Sequence, residues 1–211
     1  KTPTTEDVTR GITRALAGLV ERAPGAREAQ AAMIGTTHFT NAVVQRRELD
    51  RVAAVRVGLP SGASLPPFVD WPEDLAALVR GEVVMLDGGQ EFEGRPLVPF
   101  DTAGMRAAAR RIRDAGIRSV AVAAVFSPLN AACEEQAAAI LAEECPDVAD
   151  TLSHRLGRIG LLEREKAALL NACLVRLARK RRGSRDRLFR RTASQQRAGC
   201  PGLYGPGRQP R

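Results

Sequence analysis

Ser119-Val120-Ala121-Val122-Ala123-Ala124-Val125-Phe126 decides the fold class. A run this short, apolar at every position after its serine and bounded by turn signals, is the pattern of a β-strand covered on both faces. Helical segments flank it. Thr102 to Ala115 is expected to form a helix ended by Gly116, and Ala131 to Glu144 another. Strands alternating with helices indicate an α/β layered domain with a mostly parallel sheet.

Working outward, Arg51 to Gly58 alternates and is rich in Val, which predicts a strand, as do Glu82 to Leu86 and Val148 to Leu152. The segment Leu59 to Pro72 carries four of the thirteen prolines and reads as a loop before a short helix over Asp74 to Val79. Asp87-Gly88-Gly89 and Glu93-Gly94 are expected to make tight turns around a brief strand at Phe92, a hairpin arm. Thr4 to Ala23 has apolar residues at helical spacing and stops at Pro24-Gly25, and Leu161 to Arg179 reads as one long helix. Ala31 to Gly35 is a short apolar strand, followed by a polar turn and a helical segment through Arg47.

The chain has 211 residues, 44% of them hydrophobic, and a formal charge of +8. The positive charge is confined to one end: Arg176 to Arg211 holds 12 Lys/Arg against a single acid, Asp186, leaving the preceding residues slightly acidic. From about Arg181, Arg, Gly, Ser, Pro and Gln dominate without apolar period, so residues 181–211 are expected to be a disordered basic tail. Such a tail can grip RNA, DNA or acidic lipid, yet it shows no Arg-Gly-Gly repeat or base-stacking pattern, which disfavours nucleic acid as the partner. No apolar run reaches the roughly 20 residues of a membrane-spanning helix, and no membrane partner is expected. Cys133, Cys145, Cys173 and Cys200 contain no CxxC pair, and with only His38 and His154 to assist them, no metal site is expected. Cys133 and Cys173 fall on apolar helix faces as buried free thiols, which fits a reducing cytoplasm.

The candidate site is Met33-Ile34-Gly35-Thr36-Thr37-His38-Phe39-Thr40-Asn41-Ala42. A buried strand handing over to a helix through small and hydroxyl-bearing residues leaves backbone N–H groups and threonine hydroxyls free to face an anion. Gly35, Thr36, Thr37, Thr40 and Asn41 are the candidate ligand- or phosphate-binding residues; alternatively, Thr36 or Thr37 only caps the helix. His38 is a candidate base or supporting group. Glu163 and Arg164, at the head of the last helix, are candidates for a charge-bearing wall or else a surface ion pair. No catalytic residue stands out. P-loop, dinucleotide-binding, nucleophile-elbow and zincin motifs do not occur.

That stretch resembles the HGTTxxTNA signature of the hydantoinase/oxoprolinase family's N-terminal region, with Ile34 where members usually carry His. Lys1-Thr2-Pro3-Thr4-Thr5, Val69-Asp70-Trp71-Pro72-Glu73-Asp74-Leu75, Val125-Phe126-Ser127-Pro128-Leu129-Asn130 and the segment from Leu152-Ser153-His154 to Leu170-Asn171-Ala172 agree in order and spacing, so the resemblance spans residues 1–180. It implies an actin-like, ribonuclease-H-like fold and a hydrolase that opens a cyclic amide such as a hydantoin or 5-oxoproline, with ATP and magnesium in the complete enzyme and a second hydantoinase-type subunit or domain as partner. An amide is a poor electrophile, and phosphorylating its oxygen creates a leaving group. The sequence departs from the family at both ends. The usual opening D-x-G-G-T hairpin is missing; Asp87-Gly88-Gly89-Gln90 resembles it only superficially. Past residue 180 the resemblance stops, and the composition is what a GC-rich gene yields in a shifted frame. The domain is therefore expected to be incomplete, a fragment inactive alone with an unpaired sheet edge.

Overall fold

The computed structural model describes residues 8–23, 25, 37–157 and 159–180. The chain divides into two compact units, residues 1–36 with 178–211, and residues 37–177. In the first, helix α1 (Val8–Arg22) lies within the stretch expected to be helical, and Leu19 on it is 53% exposed. The expected strand at Ala31 to Gly35 and the basic tail lie outside the described residues.

The second unit holds helix α2 (His38–Val44), strand β1 (Val52–Leu59), α3 (Glu73–Val79), β2 (Arg80–Asp87), α4 (Thr102–Asp114), β3 (Ser119–Ala124), α5 (Ala132–Glu144), β4 (Ala149–Leu152), a single 3-10 turn (Ser153–Arg155) and α6 (Leu161–Cys173). The four strands form one parallel sheet in the order β2-β1-β3-β4. Val55 is the hinge of the register, pairing with Val84 on one side and Val122 on the other.

Every residue of β3 is buried, as its unbroken apolar run requires. One face of the sheet packs Val55, Val120 and Val122 against Met105, Ala109 and Ile112 of α4 and against Ile140 and Leu141 of α5. The other packs Val52, Ala54 and Ala121 against Val79 of α3 and Leu169, Ala172 and Cys173 of α6. The chain moves one way from β1 to β2 and the other way from β2 through β3 to β4. With every crossover of one hand, that reversal places α3 opposite α4 and α5. It also creates a switch point at the carboxyl ends of β1 and β3, where open α/β sheets hold ligands.

Capping agrees with the sequence at α4: the Asp101 carboxylate accepts from Gly104 N at 2.8 Å, and Gly116 follows the helix with φ of +67°. Elsewhere the boundaries differ. Helix α6 ends at Cys173 and is capped at Leu174, and the chain is helical again over 175–180, so the expected long helix is interrupted at one residue, where Cys173 C=O accepts the Asp50 N–H at 2.9 Å. Phe92 sits in the turn of its arm rather than on a strand; only Gln90 and Pro96 bridge, and Phe92 is 73% exposed, edge-on to Phe126. Strand β1 is buried on both faces apart from its last residue, so its alternation reflects packing between two helix layers instead of one wet face.

Candidate functional site

Gly35 and Thr36 lie outside the described residues. Thr37 is the N-cap residue of α2, but its hydroxyl caps no backbone N–H; among the described residues it accepts from Asn41 Nδ2 at 3.4 Å. Thr37, Thr40 and Asn41 are exposed, and His38 is half-buried at the first helical position. Arg46 donates to Asp74 at 2.8 Å and ties the end of α2 to α3. No hydrogen bond or ion pair between described residues joins Thr37, Thr40 or Asn41 to Glu163.

Glu163 and Arg164 part company although they are adjacent. Glu163 is exposed while Arg164 is almost wholly buried, and both line an open hollow of about 340 Å³ with Leu156, Gly157 and Gly160. Arg164 is therefore not half of a surface ion pair. Its Nε donates to Ser153 Oγ at 2.8 Å, Nη1 to Ile159 C=O at 2.8 Å, and Nη2 to Ala124 C=O. Burial pushes this guanidinium below its usual range, and the nearby Glu134 and Glu165 charges act in the opposite direction.

The most connected group at the strand ends is Glu134, in the first turn of α5, where the positive helix end favours a carboxylate. It has no exposed surface. Its Oε1 accepts from Ala124 N at 3.0 Å, Ser127 Oγ at 2.6 Å and Ser153 Oγ at 2.5 Å. Its Oε2 accepts from His154 N at 3.0 Å and meets His154 Nδ1 at 2.7 Å. One carboxylate thus ties the end of β3, the loop after it and the end of β4. Beside it, Arg56 in the middle of β1 makes a bidentate pair with Glu165 of α6, Nε to Oε1 at 2.8 Å and Nη2 to Oε2, and its Nη1 donates to Leu65 C=O in the proline-rich loop. Both partners are buried.

Asp87 ends β2, and Gly88-Gly89 continue as irregular backbone rather than the expected tight turn. Gly88 has φ of +135°, and a Cβ there would lie 2.5 Å from Val57 Cγ1; Gly89 has φ of +93°. Gln90 N then donates to Val125 C=O at 3.1 Å, which binds this segment to the residue after β3. These glycines serve close packing at the strand ends.

Sequence reasoning found Glu163 and Arg164 but passed over Arg56, Ser127, Glu134, Ser153, His154 and Glu165. The available signals were Arg56, a charge inside a Val-rich strand, and Glu134, on the inward face beside Cys133 and Ala137. A buried charge demands a partner, but which partner depends on the tertiary fold.

The sequence matches the family model described as the hydantoinase/oxoprolinase N-terminal region over residues 1–145. Among solved structures the chain is similar to the ATP-dependent caprolactamase from Pseudomonas jessenii, with a TM-score of 0.70 and 21% identity, covering 90% of this chain and 30% of that one. It is also similar to nucleotide-free acetone carboxylase, from work on the mechanism of ATP-dependent acetone carboxylation, with a TM-score of 0.56 and 19% identity, covering 82% of this chain and 28% of that one. No curated protein matches. The chain spans less than a third of either structure, and at these identities the likeness concerns the fold. The match over residues 1–145 settles the family: this chain belongs to the hydantoinase/oxoprolinase family, as its N-terminal region.

Proposed function

We infer that the protein forms part of an ATP-dependent enzyme that opens a cyclic amide of the hydantoin, 5-oxoproline or lactam type. The family match over residues 1–145 carries this reading, and the shared fold with an ATP-dependent caprolactamase supports it. The parallel sheet is the core of an actin-like domain, and its carboxyl edge faces the ligand.

The described residues suit a nucleotide phosphate at the start of α2. Thr37 spends no hydroxyl on capping, and Thr37, Thr40 and Asn41 present exposed polar groups there. Among the described residues no three His, Cys, Asp or Glu side chains converge, so magnesium would be held largely by phosphate oxygens and water. ATP, when bound, supplies the phosphoryl group that turns the amide oxygen into a leaving group. Glu163 stands at the mouth of the hollow as a charged wall, and the buried Arg164 fixes the loop beneath it.

Caprolactamase being about three times longer, a second subunit or domain completes the site, and the 211-residue chain alone has no turnover. Among the described residues no helix is long and apolar enough to cross a membrane, and the free thiols of Cys133, Cys145 and Cys173 suit a reducing cytoplasm. The test is a panel of hydantoin, 5-oxoproline and caprolactam incubated with ATP, magnesium and the completed enzyme. One ADP per ring-opened product is expected; ring opening independent of ATP, or none across the panel, would refute the reading.

A further inference from the structure

The His154 imidazole has one nitrogen fixed and one open. Nδ1 lies 2.7 Å from Glu134 Oε2, and the same oxygen accepts the His154 backbone N–H at 3.0 Å. Glu134 is fully buried and, apart from the ring, faced by four donors, the surroundings of an acceptor-only carboxylate. Nδ1 is therefore the nitrogen that carries the proton, and in the neutral ring Nε2 is left with its lone pair. Among the described residues no hydrogen bond reaches Nε2, and 15% of the His154 side chain is open to solvent. The ring follows directly on β4, at the carboxyl edge where parallel sheets hold ligands.

We propose that Glu134 and His154 form a dyad in which Glu134 is the positioning residue and His154 Nε2 is the proton acceptor for a ligand O–H or N–H at the sheet edge. The proposal rests on the ring-opening reading for its substrate. There, the attacking water gives a proton to Nε2 as its oxygen bonds to the ring carbonyl carbon. Glu134 faces the imidazolium so formed, and the proton passes to the ring nitrogen as the C–N bond breaks; a second water then displaces the phosphorylated oxygen from the same carbon, so that it leaves as inorganic phosphate and the carboxylate remains. Orientation of an imidazole by a buried carboxylate is a recurrent way to fix tautomer and hold the transient charge.

His38 and His154 are the only histidines, so long-range proton–nitrogen correlation NMR on the 15N-labelled 211-residue chain reads the tautomer directly. The expected neutral form carries hydrogen on Nδ1, and diethyl pyrocarbonate is expected to acylate Nε2 in the folded protein. A proton on Nε2 in the neutral ring, or a His154 that reacts only after unfolding, overturns the dyad. These measurements need no variant and no turnover. In the completed enzyme His154→Asn preserves a donor to Glu134 while removing Nε2. We expect kcat to fall about 100-fold or more, with the melting temperature and KM little changed; full activity in this variant overturns the catalytic role. Should the unaltered enzyme open no ring, the proposed substrate fails while the tautomer and acylation results still decide the dyad.

Discussion

Replacing Glu165 by glutamine strands the Arg56 guanidinium in a place no water reaches. Arg56 is 1% exposed in the middle of β1, with Val55 and Val57 beside it and Glu165 across at α6. The substitution keeps the shape and removes the charge that faces Arg56 through two parallel hydrogen bonds. Breaking a buried pair from one side costs about 3–5 kcal/mol, because the remaining charge is desolvated without compensation. Against a total stability of about 5–15 kcal/mol this is about a fifth or more, and the melting temperature should drop on the order of 10 °C. The paired change Arg56→Met with Glu165→Leu removes both charges and should recover most of that loss. Urea denaturation followed by circular dichroism supplies the free energies, with the slope checked for constancy. A loss below about 1 kcal/mol in Glu165→Gln, or a double variant worse than the single one, would show that the pair is hydrated and that its burial has been misjudged.

Gly88→Ala should destabilise by about 2 kcal/mol or more in the same assay, since it combines φ of +135° with a Cβ 2.5 Å from Val57 Cγ1; wild-type stability would contradict the packing at the end of β2. Hydrogen bonding to Lys166 holds the Asp70 carboxyl below its usual range, as Arg46 does for Asp74 and Arg110 and Arg106 do for Glu144. Such groups stabilise the fold above the ordinary carboxylate range and lose that contribution as pH falls through their depressed values. The melting-temperature difference between the protein and Asp74→Asn should therefore shrink in acid, and a gap that widens would reverse the sign. Burial pushes the Cys145 thiol up, and that of Cys173 to about 12, so mapped maleimide labelling at neutral pH should spare both until the chain unfolds.

The layered architecture was legible because β3 is apolar at every position after Ser119 and lies between two helical stretches, the first with a clear stop at Gly116. Periodicity also located α4, whose buried Met105, Ala108, Ala109 and Ile112 follow one helical stripe. Two things were not legible. Local pattern carries no information on where a carbonyl finds its donor, so the break at Leu174, beside the Cys173 C=O that accepts from Asp50, was hidden inside a continuous helical pattern. The polar network was hidden for the same reason: Ser127, Glu134 and Ser153 look unremarkable singly and acquire meaning only when β3 and β4 end side by side. At the candidate site, Glu163 and Arg164 were chosen together as adjacent charges, and helix geometry separated them, one to the rim and one beneath it.

Ring opening through a phosphorylated amide oxygen leaves an isotopic record. A lactam labelled with 18O at its carbonyl, turned over by the completed enzyme with ATP and magnesium, should deliver that label to inorganic phosphate, one atom per ring opened. Label kept entirely in the carboxylate product, with unlabelled phosphate, would contradict the account.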